Sequence, residues 1–418
     1  MTRALLSMAA ILAWIVSANA QAPAPITLDE LERLALASHP SLAAASATID
    51  VARHAAAQAG SWPNPSVSYV GDEIARGPIN RGGEHGVVVD QRIPLGGKLR
   101  LSRQAFEAGI GEAEAGRDRA RLQVLAGVRV AYHMVVAAQL RLDVRRNLAT
   151  LAAEAGRVSA QLFNVGAADR PDVLVAEMDA SLAGLDVVEA ESALARAWTQ
   201  LAAAVAQPRM PQRAVAGAAG DALPELPRDE TLAAALAASP ELAEARAAVT
   251  RAERELAVAR KVTSPDLLLK GGPRYNRELL EPDNRPVGLE WAVEAGLTIP
   301  LWDRNHGGIA ASSSRIAAAR AAVAALELKL IDRYAALYDD YRTARRRAEV
   351  YRSDILPKAT EAYQLYLARH RAMAASYPQV LMTERALFEA NERYLAAVEA
   401  VRVAAVGLNL LLTGSGVQ

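Results

Sequence analysis

The stretch VGLEWAVEAGLTIPLWDRNHGG, Val287 to Gly308, holds two patterns with a break between them. In its first part Leu289, Trp291, Val293, Ala295, Leu297 and Ile299 alternate with Glu290, Ala292, Glu294, Gly296 and Thr298. Alternation over roughly 11 residues predicts a strand with one apolar and one polar face, the length and pattern that cross a bilayer between lipid and water. A half-buried sheet of a soluble protein uses the same alternation. Pro300 ends the run, and beyond Asn305 the chain becomes rich in Ala, the best helix former.

The junction has a double. RIPLGGKLR, Arg92 to Arg100, repeats Ile-Pro-Leu after another alternating run in which Val87, Val89 and Ile93 oppose Asp90 and Arg92. Pro40 and Leu42 are answered by Pro240 and Leu242, and Pro171, Val173 and Leu174 by Pro378, Val380 and Leu381. The order and the separation, near 200 residues, persist along the chain, which is the signature of a tandem repeat. Residues 21–206 form the first repeat, 207–230 a connector rich in Pro, Gly and Ala, and 231–418 the second repeat.

Each repeat parses as a helix, a strand pair and a long helical hairpin. The strand pairs fall at about 66–93 and 266–299, and the hairpins turn at about 163–172 and 369–379. The long helices run from about Gly97 to Phe163 and from about Gly308 to Arg369. Some 65 residues at 1.5 Å each make about 100 Å of helix, so such helices must lie along one another. Leu326, Leu330, Leu337 and Tyr341 supply an apolar stripe for that contact.

Residues 1–20 read as an export signal: Arg3, an apolar core from Ala4 to Val16, and small residues ending at Ala20. No apolar run long enough for a membrane-spanning helix is expected after it. The chain has no cysteine and a formal net charge of zero, which removes disulfides and thiolate metal sites and gives no field toward nucleic acid. If the exported chain lives in a membrane, it must use strands. Four strands cannot close a membrane barrel, whose minimum is about eight, so several copies must pool them. The strand count permits a dimer, trimer or tetramer.

The two-fold arrangement of helix, strand pair and long hairpin resembles the TolC family of outer-membrane efflux ducts over nearly the whole mature chain. FNVGAADRPDVL, Phe163 to Leu174, looks like that family's hairpin tip. IPLGGK and IPLWDRN look like the strand-to-helix junctions of its cobalt-zinc-cadmium branch, although multidrug relatives use similar ones. The resemblance implies a mainly α fold with a small β part: helical hairpins forming a periplasmic tunnel, and four strands per chain pooled by a homotrimer into one twelve-stranded outer-membrane barrel. It further implies a periplasmic adaptor (membrane fusion) protein, an inner-membrane pump of the resistance-nodulation-division type, and outer-membrane lipid as partners. Neither enzymatic activity nor a cofactor is implied; the duct conducts passively, its cargo being divalent heavy metals, drugs or an exported protein.

On that resemblance Val165, Gly166, Ala167, Asp169, Ala374 and Ser376 are expected at the tips and in adaptor contact. Asp172, Gln379, Met382 and Glu384 are expected at the tunnel mouth, where many relatives have an acidic ring that Gln379 and Met382 interrupt here. For Asp172 a helix-start carboxylate favoured by the macrodipole competes with a gating role. Pro94, Gly96, Gly97, Pro300, Asp303 and Asn305 mark the barrel-tunnel junctions, and Met373 stands where Gly166 would recur in the second tip.

Other chemistry finds little support. The six histidines are scattered without metal-ligand spacing. His370 and Met373 are expected on one helix face near the mouth, where three copies could contact a soft cation or the residues could simply face solvent or adaptor. GGEHG around His85 and RELLEPDNRP around Asn284 read as loops between strands. No phosphate loop or nucleophile elbow occurs. A secreted coiled-coil stalk and a periplasmic enzyme on a helical scaffold are the readings from other classes; the stalk would lack membrane strands, and the enzyme would need a convergent polar cluster.

Overall fold

A computed structural model describes residues 25–74, 83–218, 223, 225–280, 282 and 285–412. The expected export signal and Asn284 lie outside these residues. Each half opens with an 11-residue helix absent from the sequence reading, α1 (Leu28–Ser38) and α5 (Arg228–Ala238). The signal for α1 is Thr27-Leu-Asp-Glu30, a capping-box spacing, and the Thr27 hydroxyl accepts from the Glu30 N–H at 3.4 Å. One residue later come α2 (Pro40–Ala59) and α6 (Pro240–Lys261), each opened by a proline whose missing N–H is harmless in a first turn.

The strands β1 (Ser66–Asp72), β2 (Glu84–Pro94), β3 (Asp266–Leu280) and β4 (Arg285–Thr298) form one antiparallel sheet in chain order. Register sorts the two faces. Val67, Val89, Gly271 and Val293 make one row across the sheet, and Ser66, Asp90, Lys270 and Glu294 make a row of the opposite face. Val67, Tyr69, Val87, Val89, Leu289, Trp291, Val293 and Leu297 are all exposed, Val293 at 81%. On the polar face Arg274 meets Glu84 at 2.6 Å and Glu290 at 3.7 Å. His85 is not in a loop: it lies in β2, its ring stacked on Tyr69 with centroids 6.1 Å apart. Likewise Arg277 to Leu280 extend β3, and Arg285 and Pro286 open β4, because the hairpin ladder continues into residues whose composition suggested a loop.

The long helices are α3 (Lys98–Asn164), α4 (Arg170–Ala204), α7 (His306–Val350), α8 (Leu356–Arg371) and α9 (Tyr377–Leu412). One continuous helix up to about Arg369 was expected in the second half. Instead a π turn, Tyr351–Ile355, separates α7 from α8 just ahead of Pro357, whose ring and missing N–H a widened turn accommodates. Contrary to the sequence reading, α7–α8 and α9 each contain a stretch long and apolar enough, by length and composition alone, to cross a membrane. In α7 alanine supplies much of that apolarity, and 56% of the α9 stretch is buried inside the protein.

These elements cluster into two compact units that cut across the sequence repeats. One unit contains α2, the sheet, α5, α6 and the first parts of α3 and α7. There α6 meets α3 through Arg251–Glu112 at 3.0 Å and Glu244–Arg119 at 3.1 Å. The other unit contains α1, the rest of α3 and α7, α4, the π turn, α8 and nearly all of α9. Its core includes Val128, Val135, Leu201, Val401 and Leu408. The expected connector is tied to this second unit: Val215 bridges Ile26 in parallel, the Gln139 amide both donates to and accepts from the Val215 backbone, and the Trp198 indole N–H donates to Met210. Its final residues already belong to α5.

Candidate functional site

The two hairpin tips are built alike. At the end of α3 the Ala167 N–H donates to Leu162 at 2.8 Å and the Gly166 N–H to Phe163 at 2.9 Å, a Schellman closure with Gly166 left-handed at φ 73°. At the end of α8 the Ala374 N–H donates to Arg369 at 2.8 Å and the Met373 N–H to His370 at 2.9 Å, with Met373 left-handed at φ 58°. Asp169 caps α4 through its backbone, and Pro171 follows inside the first turn. Val165, Gly166, Ala167, Asp169, Ala374 and Ser376 are all exposed.

His370 and Met373 do not share a face. His370 is 4% exposed, with Nδ1 2.9 Å from the Ala375 carbonyl and its ring beside Tyr377. Met373 lies past the helix end and is 64% exposed, because the left-handed turn swings it away. Among the described residues no group of three or more His, Cys, Asp or Glu side chains could hold a metal ion.

The four expected mouth residues also separate. Gln379 and Met382 are exposed and Asp172 is half-buried, whereas Glu384 is 6% exposed. At about 100° per residue, Glu384 lies roughly 140° around α9 from Gln379, which turns it toward the other helices. It joins a polar cluster over the core formed by Ala155, Ala176, Tyr363, Tyr377, Val380 and Leu387, to which α3, α4, α8 and α9 all contribute. Burial, then the neighbouring Asp179 carboxylate, raises the Glu384 carboxyl to about 7, with Arg385 opposing. Burial likewise raises Asp179. Burial and the Glu384 and Glu154 charges push the Tyr363 phenol up to about 12.

Contacts between the hairpins come from residues the sequence reading passed over. Arg371 of α8 pairs with Glu154 of α3, and Arg385 of α9 lies 3.8 Å from Asp179 of α4. Arg145 of α3 pairs with Asp186, reaches Glu392 at 3.1 Å and stacks over the Phe388 ring at 4.0 Å. A signal for part of this set was present: Asp172, Asp179 and Asp186 recur every seventh residue, one face of α4.

Both strand-to-helix junctions turn through left-handed residues, of different types. After Pro94, Gly96 and Gly97 are both left-handed, at φ 69° and 74°, and a side chain on Gly96 would meet the Ser264 hydroxyl at 2.5 Å. After Pro300, Asn305 is left-handed at φ 52°, its N–H donates to the Asp303 carboxylate at 2.9 Å, and its amide donates to the Ala259 carbonyl at 2.8 Å. Asp266, 4% exposed at the start of β3, accepts from Arg92 Nε at 2.7 Å and from Lys98 at 2.7 Å.

Residues 31–207 and 231–414 match the Outer membrane efflux protein family. The chain is 26% identical over 392 residues to the cobalt-zinc-cadmium resistance protein CzcC of Cupriavidus metallidurans, covering 94% of this chain and 91% of that one. It superposes on the outer-membrane channel OprN with a TM-score of 0.75 at 19% identity, covering 93% of this chain and 90% of that one. The outer membrane protein VceC of Vibrio cholerae matches with a TM-score of 0.74 at 17% identity over 92% and 96%. CusC, described for transmembrane channel formation, matches at 0.75 and 17% over 93% and 92%. With a family match over both halves and the fold of outer-membrane channels, this chain belongs to the outer membrane efflux protein family.

Proposed function

We propose that the protein is the outer-membrane duct of a tripartite efflux system, a homotrimer that passively conducts divalent heavy-metal cations. The observation that carries the duct is the sheet: an exposed apolar face and, among the described residues, unpaired edges on β1 and β4, which in hydrocarbon must be closed by strands of further copies. The metal cargo is supported by the relative named for cobalt-zinc-cadmium resistance. The tip residues Val165, Gly166, Ala167, Asp169, Ala374 and Ser376 would meet a periplasmic adaptor, which couples the duct to a resistance-nodulation-division pump in the inner membrane. Asp172, Gln379 and Met382 would line the mouth.

Gene deletion followed by growth on zinc, cobalt, cadmium, copper and a drug panel tests the cargo. Selective loss of metal tolerance is expected. Unchanged metal tolerance with loss of drug tolerance, or with failure of a secreted protein to leave the cell, replaces the metal reading with multidrug efflux or protein export.

A further inference from the structure

We propose that Asp179 of α4 and Glu384 of α9 form a proton-binding site that sets how tightly these two return helices close near the hairpin tips. The effect on conduction rests on the duct reading; the site itself does not. Both carboxyls line a groove of about 300 Å³ between α3, α4 and α9. Glu384 is 6% exposed, and its Oε2 atom has no hydrogen-bond partner among the described residues. The groups facing it are Asp179 and Asp186 from α4, Arg145 from α3, Tyr363 from α8, and Tyr377 and Arg385 from α9. Arg145 is engaged by Asp186 and Glu392, while Arg385, mostly exposed and 3.8 Å from Asp179, only partly offsets the two carboxyls.

Three carboxyls, Asp179, Asp186 and Glu384, thus line the groove against two guanidiniums, and a proton resolves the imbalance. Protonated, Glu384 is neutral and removes its charge from the face of the Asp179 carboxylate. Deprotonated, it places two like charges in a desolvated site, where their repulsion acts to part α4 from α9. The proton comes from bulk water through the open side of the groove, and no other bond changes. With the Glu384 carboxyl raised to about 7, the exchange falls within the physiological range.

Infrared titration of the purified full-length protein in detergent, from about pH 5 to pH 9, tests the site directly. A protonated-carboxyl C=O band should bleach with a midpoint near 7, should be missing in Glu384→Gln, and should titrate about one pH unit lower in Asp179→Asn, where the like charge is gone. In planar bilayers, channel conductance should rise as pH passes up through the same midpoint and should be independent of pH over that range in Glu384→Gln. A midpoint at the ordinary glutamate value, a band that survives in Glu384→Gln, or matching pH profiles of conductance in the two proteins would overturn the proposal. If no channel activity appears at all, the duct reading fails while the infrared titration still decides the site.

Discussion

Met373 holds at the end of α8 the left-handed position that Gly166 holds at the end of α3, and both close the same pair of helix-end hydrogen bonds. A side chain in that conformation costs about 1–2 kcal/mol, partly offset by the lower freedom of the unfolded chain relative to glycine. Met373→Gly should therefore stabilise the second tip by on the order of 1 kcal/mol. Denaturant unfolding in detergent measures this, and a destabilised variant would mean that the Met373 side chain makes contacts in the assembled protein worth more than the strain.

Asp266 joins β2, β3 and the start of α3 through Arg92 and Lys98. Asp266→Asn keeps the shape but removes the charge both cations bind, and breaking a buried pair costs on the order of 3 kcal/mol. Because Arg92 is 63% exposed and can rehydrate, a loss nearer 2 kcal/mol is expected. Heat-modifiable gel migration should show disassembly at a lower temperature than in the wild type.

Val293 is 81% exposed in the isolated chain, so in a soluble sheet Val293→Arg would be nearly neutral. On the lipid face of a barrel the same change costs about 2–4 kcal/mol at the bilayer midplane. Outer-membrane fractionation should show strongly reduced assembly of Val293→Arg and normal assembly of Arg277→Ala, on the same sheet.

The pH dependence of stability has a defined sign. Glu384 is raised from 4.5 to about 7 in the folded protein, so its favourable contribution is complete below the unfolded value and is lost as pH rises through about 7. The loss amounts to roughly 3 kcal/mol at about 1.4 kcal/mol per pH unit, an upper bound because Arg385 can reorient toward the charge. Thermal melts should show Glu384→Gln more stable than the wild type at pH above 8 and no more stable at acid pH, where both carry a neutral group.

Arg371 and Glu154 link α8 to α3, with side chains about half exposed. An exposed pair of this kind contributes about 0–1 kcal/mol, so Arg371→Glu should hardly move the melting temperature. Repulsion at the tips should nonetheless raise single-channel conductance in bilayers. Unchanged conductance would place the constriction away from this pair.

The sequence by itself determined what depends on periodicity and on residues with one dominant conformational effect. Alternation at Leu289 to Ile299 marked the lipid-facing stave, and Pro40, Pro171, Pro240 and Pro378 marked helix starts at repeat spacing. Gly166 announced a tight turn because few other residues adopt a left-handed conformation cheaply, whereas the left-handed pair Gly96–Gly97 was legible only as a junction. The short helices α1 and α5 escaped for want of an apolar stripe long enough to count, although the Thr27–Glu30 cap was visible. Only the tertiary structure decided which face of α9 Glu384 occupies, that His370 is buried while Met373 is not, and that Val215 in the connector pairs with Ile26. Those outcomes depend on contacts between residues far apart in the chain. A carboxylate on a regular helix carries no mark of its partner until packing removes its water and brings Asp179 beside it.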